Sequence, residues 1–226
     1  MDDKELKQIL ATKAPAYERS FIEIPRDSVV PHLSSLTDYL DKVVKADKRM
    51  MSRIDNLVMR YRLGAVDKTM NEHFGTVLPR INQKGMIIGG SVIYYNTEDG
   101  TILQKDELVD HLYPWYAFDY YTDPNVFFGE QLWLGRQTII VQEEKTALLG
   151  ALAHPDFDWL AVGVGNNLTD AMMKKFIGRL VILFPDDFCF EYWSEHFGSK
   201  FKVDDSFTHR DINQYLIDFI HNRQVP

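Results

Sequence analysis

Residues 139–152 read IIVQEEKTALLGAL, an apolar run broken by Gln142, Glu143 and Glu144 before a helical pattern begins. Polar side chains at the carboxyl end of a buried strand lie where open α/β sheets handle ligands and metals, and carboxylate oxygens are the donors a hard cation such as Mg²⁺ takes. Glu143 and Glu144 have a second role open to them as helix caps, because negative charge in a first turn suits the unpaired N–H groups there. The grouping recurs along the chain: Asp186 and Asp187 follow LVILFP, Asp204 and Asp205 follow KFKV, and GVGNN at 163–167 follows WLAV. Polar or acidic residues delivered by several strands to one edge exceed what a single helix cap requires.

A different chemistry is offered by Lys42, Lys45, Lys48, Arg49, Arg53, Arg60 and Arg62, with only Asp47 and Asp55 opposing them between residues 42 and 62. Such a segment can meet phosphates, and its composition equally suits a solvated helix face. With a net charge of −8, phosphate binding would be confined to a patch of this kind. The aromatic segment Tyr113–Tyr121 could stack bases or cover a sheet. The seven histidines show neither H-E-x-x-H nor H-x-H spacing, and a single cysteine, Cys189, excludes an internal disulfide and a multi-cysteine zinc site. Flanked by Phe188 and Phe190, that cysteine reads as a packed, inert thiol. GVGNN matches neither the dinucleotide-binding glycine pattern nor a P-loop.

The elements that must position these residues follow from periodicity. A chain of 226 residues with 45% hydrophobic content can bury a real core, as one large or two small domains. It has no apolar run of about 18 residues, and the acidic start MDDKELKQIL is no secretory signal, so a cytoplasmic protein without membrane contact is expected. Residues 1–33, rich in proline and poor in periodic apolar positions, predict an arm lying on the body. In 34–135, Leu36, Tyr39, Leu40 and Val43 after a Ser-Ser cap predict one helix. Met50, Ile54, Leu57, Val58 and Tyr61 predict a second, ending at Gly64. TVLPRI and MIIGGSVIYY, joined by Asn82 to Gly85, predict an antiparallel hairpin, and Gly100 to Gly135 reads as irregular. In 136–226, TIIVQ, WLAVGV, LVILF and KFKV alternate with helical stretches. Continuous apolar strands separated by helices predict a parallel sheet covered on both faces.

These pieces, in this order, resemble the Toprim domain of primases, topoisomerases and related nucleases, in which a first strand ends in a V-E-G-x-x-D-A-like turn, a second near a glycine and a third in D-x-D. YRLG followed by TVLPRINQKGMIIGGSVIYYN is similar to the primase core, FFGEQLW looks like the segment leading into the first Toprim strand, and DINQYL resembles a motif near its end. The order Y-x-L-G, FFGEQL, V-x-x-EKTA, WLAVG, GR-x-V-x-L-x-PD, W over roughly residues 33–222 resembles a family of primase-like Toprim proteins from mobile elements and phages. The fold implied is α/β: a Toprim-like four-stranded parallel sheet with flanking helices, preceded by a smaller α+β primase-core-like subdomain.

That resemblance implies an acidic centre in which a glutamate and two aspartates hold Mg²⁺ or move protons during phosphodiester chemistry. Matching VQEEKTA through Val141 and Ala147 places Gln142 at the glutamate, while LFPDDF places Asp186 at the first aspartate and Phe188 at the second. Two of the three carboxylates are replaced. If the chain is active, Glu143, Glu144, Asp186 and Asp187 are the catalytic set, with Asp186, Asp187 and Glu144 holding Mg²⁺ weakly. A one-residue shift reverses a side chain on a strand, but beyond the strand end the backbone turns. Otherwise the segment is an altered metal-binding strand end, its glutamates acting as helix caps. The function implied is a primase-like DNA-replication accessory of phage or mobile-element type, with lost or altered catalysis. It would bind single-stranded DNA or RNA through Lys45, Lys48, Arg49, Arg53 and Arg60. An active Mg²⁺-dependent nucleotidyltransferase or nuclease, and an interaction protein that binds a replication or host defence protein, are the alternatives.

Overall fold

The computed structural model describes residues 34–45, 47–70, 73–107, 125–164 and 167–223. The arm expected over 1–33, the aromatic segment Tyr113–Tyr121 and part of GVGNN lie outside the described residues. The chain opens with helices α1 (Ser35–Val43) and α2 (Lys48–Tyr61). Ser34 and Thr37 form a reciprocal capping box on α1, and the Asp47 carboxylate accepts from the amides of Arg49 and Met50 to start α2. The second helix stops at Arg62, whose left-handed backbone (φ 52°) lets the Leu63 amide donate to Val58 O. Gly64, expected as the helix stop, instead begins a strand.

That strand, β1 (Gly64–Met70), joins β2 (His73–Ile81), β3 (Ile87–Tyr95) and β4 (Ile102–Glu107) in an antiparallel sheet of order β1-β2-β3-β4. The expected hairpin is β2–β3. Its turn is held by Asn82, whose side-chain oxygen accepts from Lys84 and Met86 amides, and by Gly85 at φ 82°, a region closed to most side chains. The stretch from Gly100 was read as irregular, yet β4 is an edge strand, and charged edge sequences such as ILQKDE lack the apolar alternation of a covered one. Helix α1 is fastened across the sheet: the Tyr95 amide donates to Ser35 Oγ (2.9 Å) and the Leu36 amide to Thr76 Oγ1 (3.1 Å).

The remainder is the expected four-stranded parallel sheet, β5 (Thr138–Val141), β6 (Asp158–Ala161), β7 (Val181–Phe184) and β8 (Lys202–Val203), in the order β6-β5-β7-β8. It is flanked by α3 (Glu144–Ala153), a short α4 (Asp170–Met173), α5 (Phe190–Phe197) and α6 (Ile212–Arg223). Alternate residues of the central strands feed two cores. Ile139, Val141, Trp159 and Ala161 pack with α1, α2, α3 and α6, whereas Ile140, Leu160 and Leu183 pack with Met172, Phe176, Trp193 and Phe197 on the opposite face. Two buried acids brace this half. Asp158 accepts from the Leu134 and Arg136 amides and pairs with the Arg136 guanidinium at 2.8 Å, and Glu130 of FFGEQL pairs with Lys175 at 2.7 Å.

Helix α3 crosses β6 so closely that a Cβ added at Gly150 would lie 2.3 Å from the Trp159 indole, itself fixed by donation to His154 O. In an exposed helix, Gly→Ala gains roughly 0.5–1 kcal/mol. Here Gly150→Ala is expected to reverse that sign and cost about 1–3 kcal/mol through overpacking, read by denaturant unfolding.

Candidate functional site

Register brings the ends of β5, β6 and β7 level: Val141 pairs with Ala161 on one side and Phe184 on the other. Gln142, Gly163 and Asp186 therefore leave the sheet at the same edge. Gln142 is buried; its Nε2 donates to Gly163 O (3.1 Å) and its Oε1 accepts from the Cys189 thiol (3.4 Å). Asp186 Oδ1 accepts from the Cys189 amide at 2.9 Å, so the amide of one strand end and the carboxylate of another meet around one cysteine. Burial, assisted by hydrogen bonding and charge from Asp186, pushes the thiol up to about 12. It stays protonated as a donor, consistent with the inert packed thiol read from its aromatic neighbours. Its bridging position could not be read from them.

Glu143 occupies the N-cap position of α3 but makes no side-chain capping bond, which corrects its expected role. It is half-buried, and its carboxyl is raised first by desolvation and then by the charges of Asp186 and Asp211, with Lys145 opposing. Glu143 therefore feels the negative charge of Asp186 and Asp211 across this edge. Asp211, just before α6, is the first residue of DINQYL, quoted for its resemblance to a terminal motif but not as part of the acidic set. Lys145 is buried, donating to Gly100 O (2.6 Å) with its ammonium 5.9 Å from the ring centroids of Tyr39 and Tyr95.

Glu144 stands in the first turn of α3, as expected of a helix-start acid, and has a further role. It is buried and turned toward the antiparallel sheet, where Oε1 accepts from Ser91 Oγ (3.4 Å) of β3 and Oε2 from the Val164 amide (3.1 Å). Lys105 of β4 donates to Val164 O beside it. This carboxylate cross-links the two sheets. Asp187 is largely exposed, its carboxylate 3.9 Å from His209 Nδ1, and Phe188 is 95% exposed. Asp186, Asp187 and Glu144, the set expected to hold Mg²⁺, do not converge: Asp186 Oδ1 accepts from the Cys189 amide, Asp187 faces solvent and His209, and the Glu144 oxygens accept from Ser91 and Val164. Among the described residues no group of three or more His, Cys, Asp or Glu stands in a metal-holding arrangement.

The basic residues lie elsewhere. On α2, Met50, Ile54, Leu57, Val58 and Tyr61 are buried while Lys48, Arg49, Arg53 and Arg60 are exposed. Arg49, Arg53, Asn56 and Arg60 follow one another at helical spacing and share a face. Lys45 is exposed just after α1. Of the other cations in the segment, Lys42 is held by Glu98 and Thr97, and Arg62 donates to Gly85 O at 3.2 Å.

Burial dominates Glu144 and raises its carboxyl, so the folded protein holds that proton more firmly than the unfolded chain. Stability from this group is full below the ordinary glutamate value and is lost as pH rises through the raised one. Glu144→Gln keeps an acceptor for Val164 and gains a donor for Ser91, without charge. Denaturant unfolding from about pH 4 to about pH 7 should show the variant gaining on the parent as pH rises; a constant difference would mean that desolvation does not govern the group.

The chain resembles solved primase structures in fold. The Aquifex aeolicus primase, with its zinc binding and RNA polymerase domains, is 12% identical over 84% of this chain and 60% of its own, with a TM-score of 0.52. The RNA polymerase domain of Mycobacterium tuberculosis primase DnaG is 11% identical, over 83% of this chain and 82% of its own, at a TM-score of 0.45. The primase fragment of the bacteriophage T7 primase-helicase protein is 14% identical, over 76% and 70%, at 0.47. No curated protein matches the sequence. Among the described residues no helix is long and apolar enough to cross a membrane. A family model described as "Domain of unknown function (DUF6371)" matches residues 34–187, from the cap of α1 through the antiparallel sheet and the first three strands of the parallel one to the acids after β7, and the chain is a member of that family.

Proposed function

We propose that this protein is a primase-related, nucleic-acid-binding replication accessory of phage or mobile-element type, whose parallel-sheet half is a Toprim domain with lost or altered catalysis. The observation that carries the reading is the exposed stripe Arg49, Arg53, Asn56 and Arg60 on α2, in a chain of primase-like fold and net charge −8. Four-residue and three-residue steps align these side chains along about one and a half times the pitch of two helical turns, so they can follow a phosphate backbone. Single-stranded DNA or RNA is the proposed ligand. At the sheet edge, the neutral Gln142–Cys189 pair beside Asp186 supports altered chemistry, because it puts an amide and a protonated thiol where a metal-dependent centre needs anionic oxygens.

The binding test is a salt titration with single-stranded DNA. Replacing Lys48, Arg49 and Arg53 together by alanine should weaken binding and reduce the slope of log affinity against log salt by about 2 units, as expected for three lost phosphate contacts. Absence of binding by the parent at low salt would end the reading.

The catalytic half is tested by restoring charge. Gln142→Glu replaces the donor to Gly163 O with an acceptor and should cost about 1–3 kcal/mol without metal, whereas Phe188→Asp, at a side chain 95% exposed, should cost little. Calorimetry should then show Mg²⁺ binding by the double variant and not by the parent. A parent that binds Mg²⁺ tightly, and loses it on Asp186→Asn, would favour an active nucleotidyltransferase or nuclease instead.

A further inference from the structure

We propose that copies of this chain associate head to tail, the Phe188 side of one copy docking on the amino edge of the parallel sheet of the next. The two surfaces carry opposite charge, and they lie at opposite ends of the same strands.

The first surface is a knob. Phe188, 95% exposed, directly follows Asp186 and Asp187 beyond the carboxyl end of β7. Its turn is fixed, since the Cys189 amide donates to Asp186 Oδ1 and the Phe190 amide to Asp186 O at 3.0 Å. With its backbone turn already set, the residue pays only side-chain ordering on docking.

The second surface is a patch with a cleft beside it. Leu134, Ile177 and Leu180 are 72%, 66% and 65% exposed. They are gathered where β5 and β7 begin: the Thr138 amide donates to Leu180 O, Trp133 Nε1 donates to Thr138 Oγ1, and the Arg179 guanidinium stands 5.9 Å from the Trp133 ring. Single exposed leucines are ordinary; three exposed aliphatics around the starts of two neighbouring strands, with exposed Arg179 among them, mark a contact surface. The cleft is lined by Leu57, Leu132, Trp133 and Phe157, with Arg60 at its wall. Met59, 74% exposed, adjoins Arg60.

Charge selects the pairing. Either surface against itself would set like charges together, acid on acid at the knob or Arg60 and Arg179 on their copies at the patch. Knob against patch sets Asp186 and Asp187 toward arginines and gives the Phe188 ring an apolar seat. Nucleic acid is a poorer occupant of the patch, because the aliphatic side chains offer phosphate nothing. A contact between unlike surfaces at opposite ends of a molecule leaves one of each free at every step, so growth passes beyond a dimer, to a ring if the rotation closes or a filament if it does not. This inference needs no nucleic acid, but it shares Arg60 with the proposed phosphate stripe, so the two readings are tested by different variants.

Sedimentation velocity of nuclease-treated protein over a concentration series tests it. The parent should show a sedimentation coefficient that rises with concentration beyond that of a dimer and falls back in high salt. Phe188→Ser removes the knob, and Leu134→Asp with Leu180→Asp removes the patch; all three positions are exposed, and circular dichroism checks that each variant is folded. Each variant alone should remain a monomer. Mixed together they retain one intact surface of each kind and should form a one-to-one dimer that grows no further. A parent that is monomeric throughout, a parent that stops at a closed dimer, or a mixture that stays monomeric would overturn the proposal.

Discussion

The four residues of β5 are buried on both faces of the sheet and bonded on both edges, and every position at the candidate site takes its place from that strand. Because α3 begins at Glu144, the backbone must turn within two residues of leaving the sheet. Three consecutive side chains then take three directions. Gln142 reaches sideways to Gly163 and Cys189, Glu143 stays with Asp186 and Asp211, and Glu144 turns back to Ser91 on the other sheet. A buried central strand with no freedom to shift is what makes so tight a divergence reproducible.

The edge so formed is electrically self-sufficient. Converging carboxylates repel one another unless a cation lies between them, and folding such an edge costs stability whenever the cation is absent. An amide accepting from a protonated thiol, which adjoins a single carboxylate, needs no counter-ion. The remaining acids are dispersed: Glu143 is moderated by Lys145, Glu144 is committed to Ser91 and Val164, and Asp187 faces solvent and His209. Charge that would otherwise accumulate at one point is thereby spread over two sheets and a helix start.

The parts of the fold that were legible in the sequence are those whose burial is complete. The runs TIIV, DWLA and VILF are apolar because helices cover both of their faces, and that continuity announced a parallel sheet. The hairpin was legible through Asn82 and Gly85, which have few other uses in such a setting. Edge strands β1 and β4 were not: GAVDKTM and ILQKDE bear charges that suit a rim and imitate a loop. Helix α2 ended two residues early because Arg62 adopted a conformation normally reserved for glycine. At the site, the strand-end residues could be named from spacing, but not their directions. Whether Glu144 caps its own helix or bridges to β3 depends on Ser91, 53 positions away, and no local pattern records that.

Gly150 sits six residues along α3 from Glu144, about 9 Å at helical rise. With no side chain of its own, it lets the backbone of α3 rest directly on the Trp159 indole, which is locked in turn through His154. A helix touching its sheet through side chains can settle by rolling a few degrees; one seated backbone-to-ring has no such slack. A shift of a single residue would swing its first turn by about 100°, carrying Glu144 away from Ser91. The glycine is therefore the indexing pin of the helix, and the aim of a carboxylate between two sheets is set by an absent methyl group at the middle of the rod that carries it.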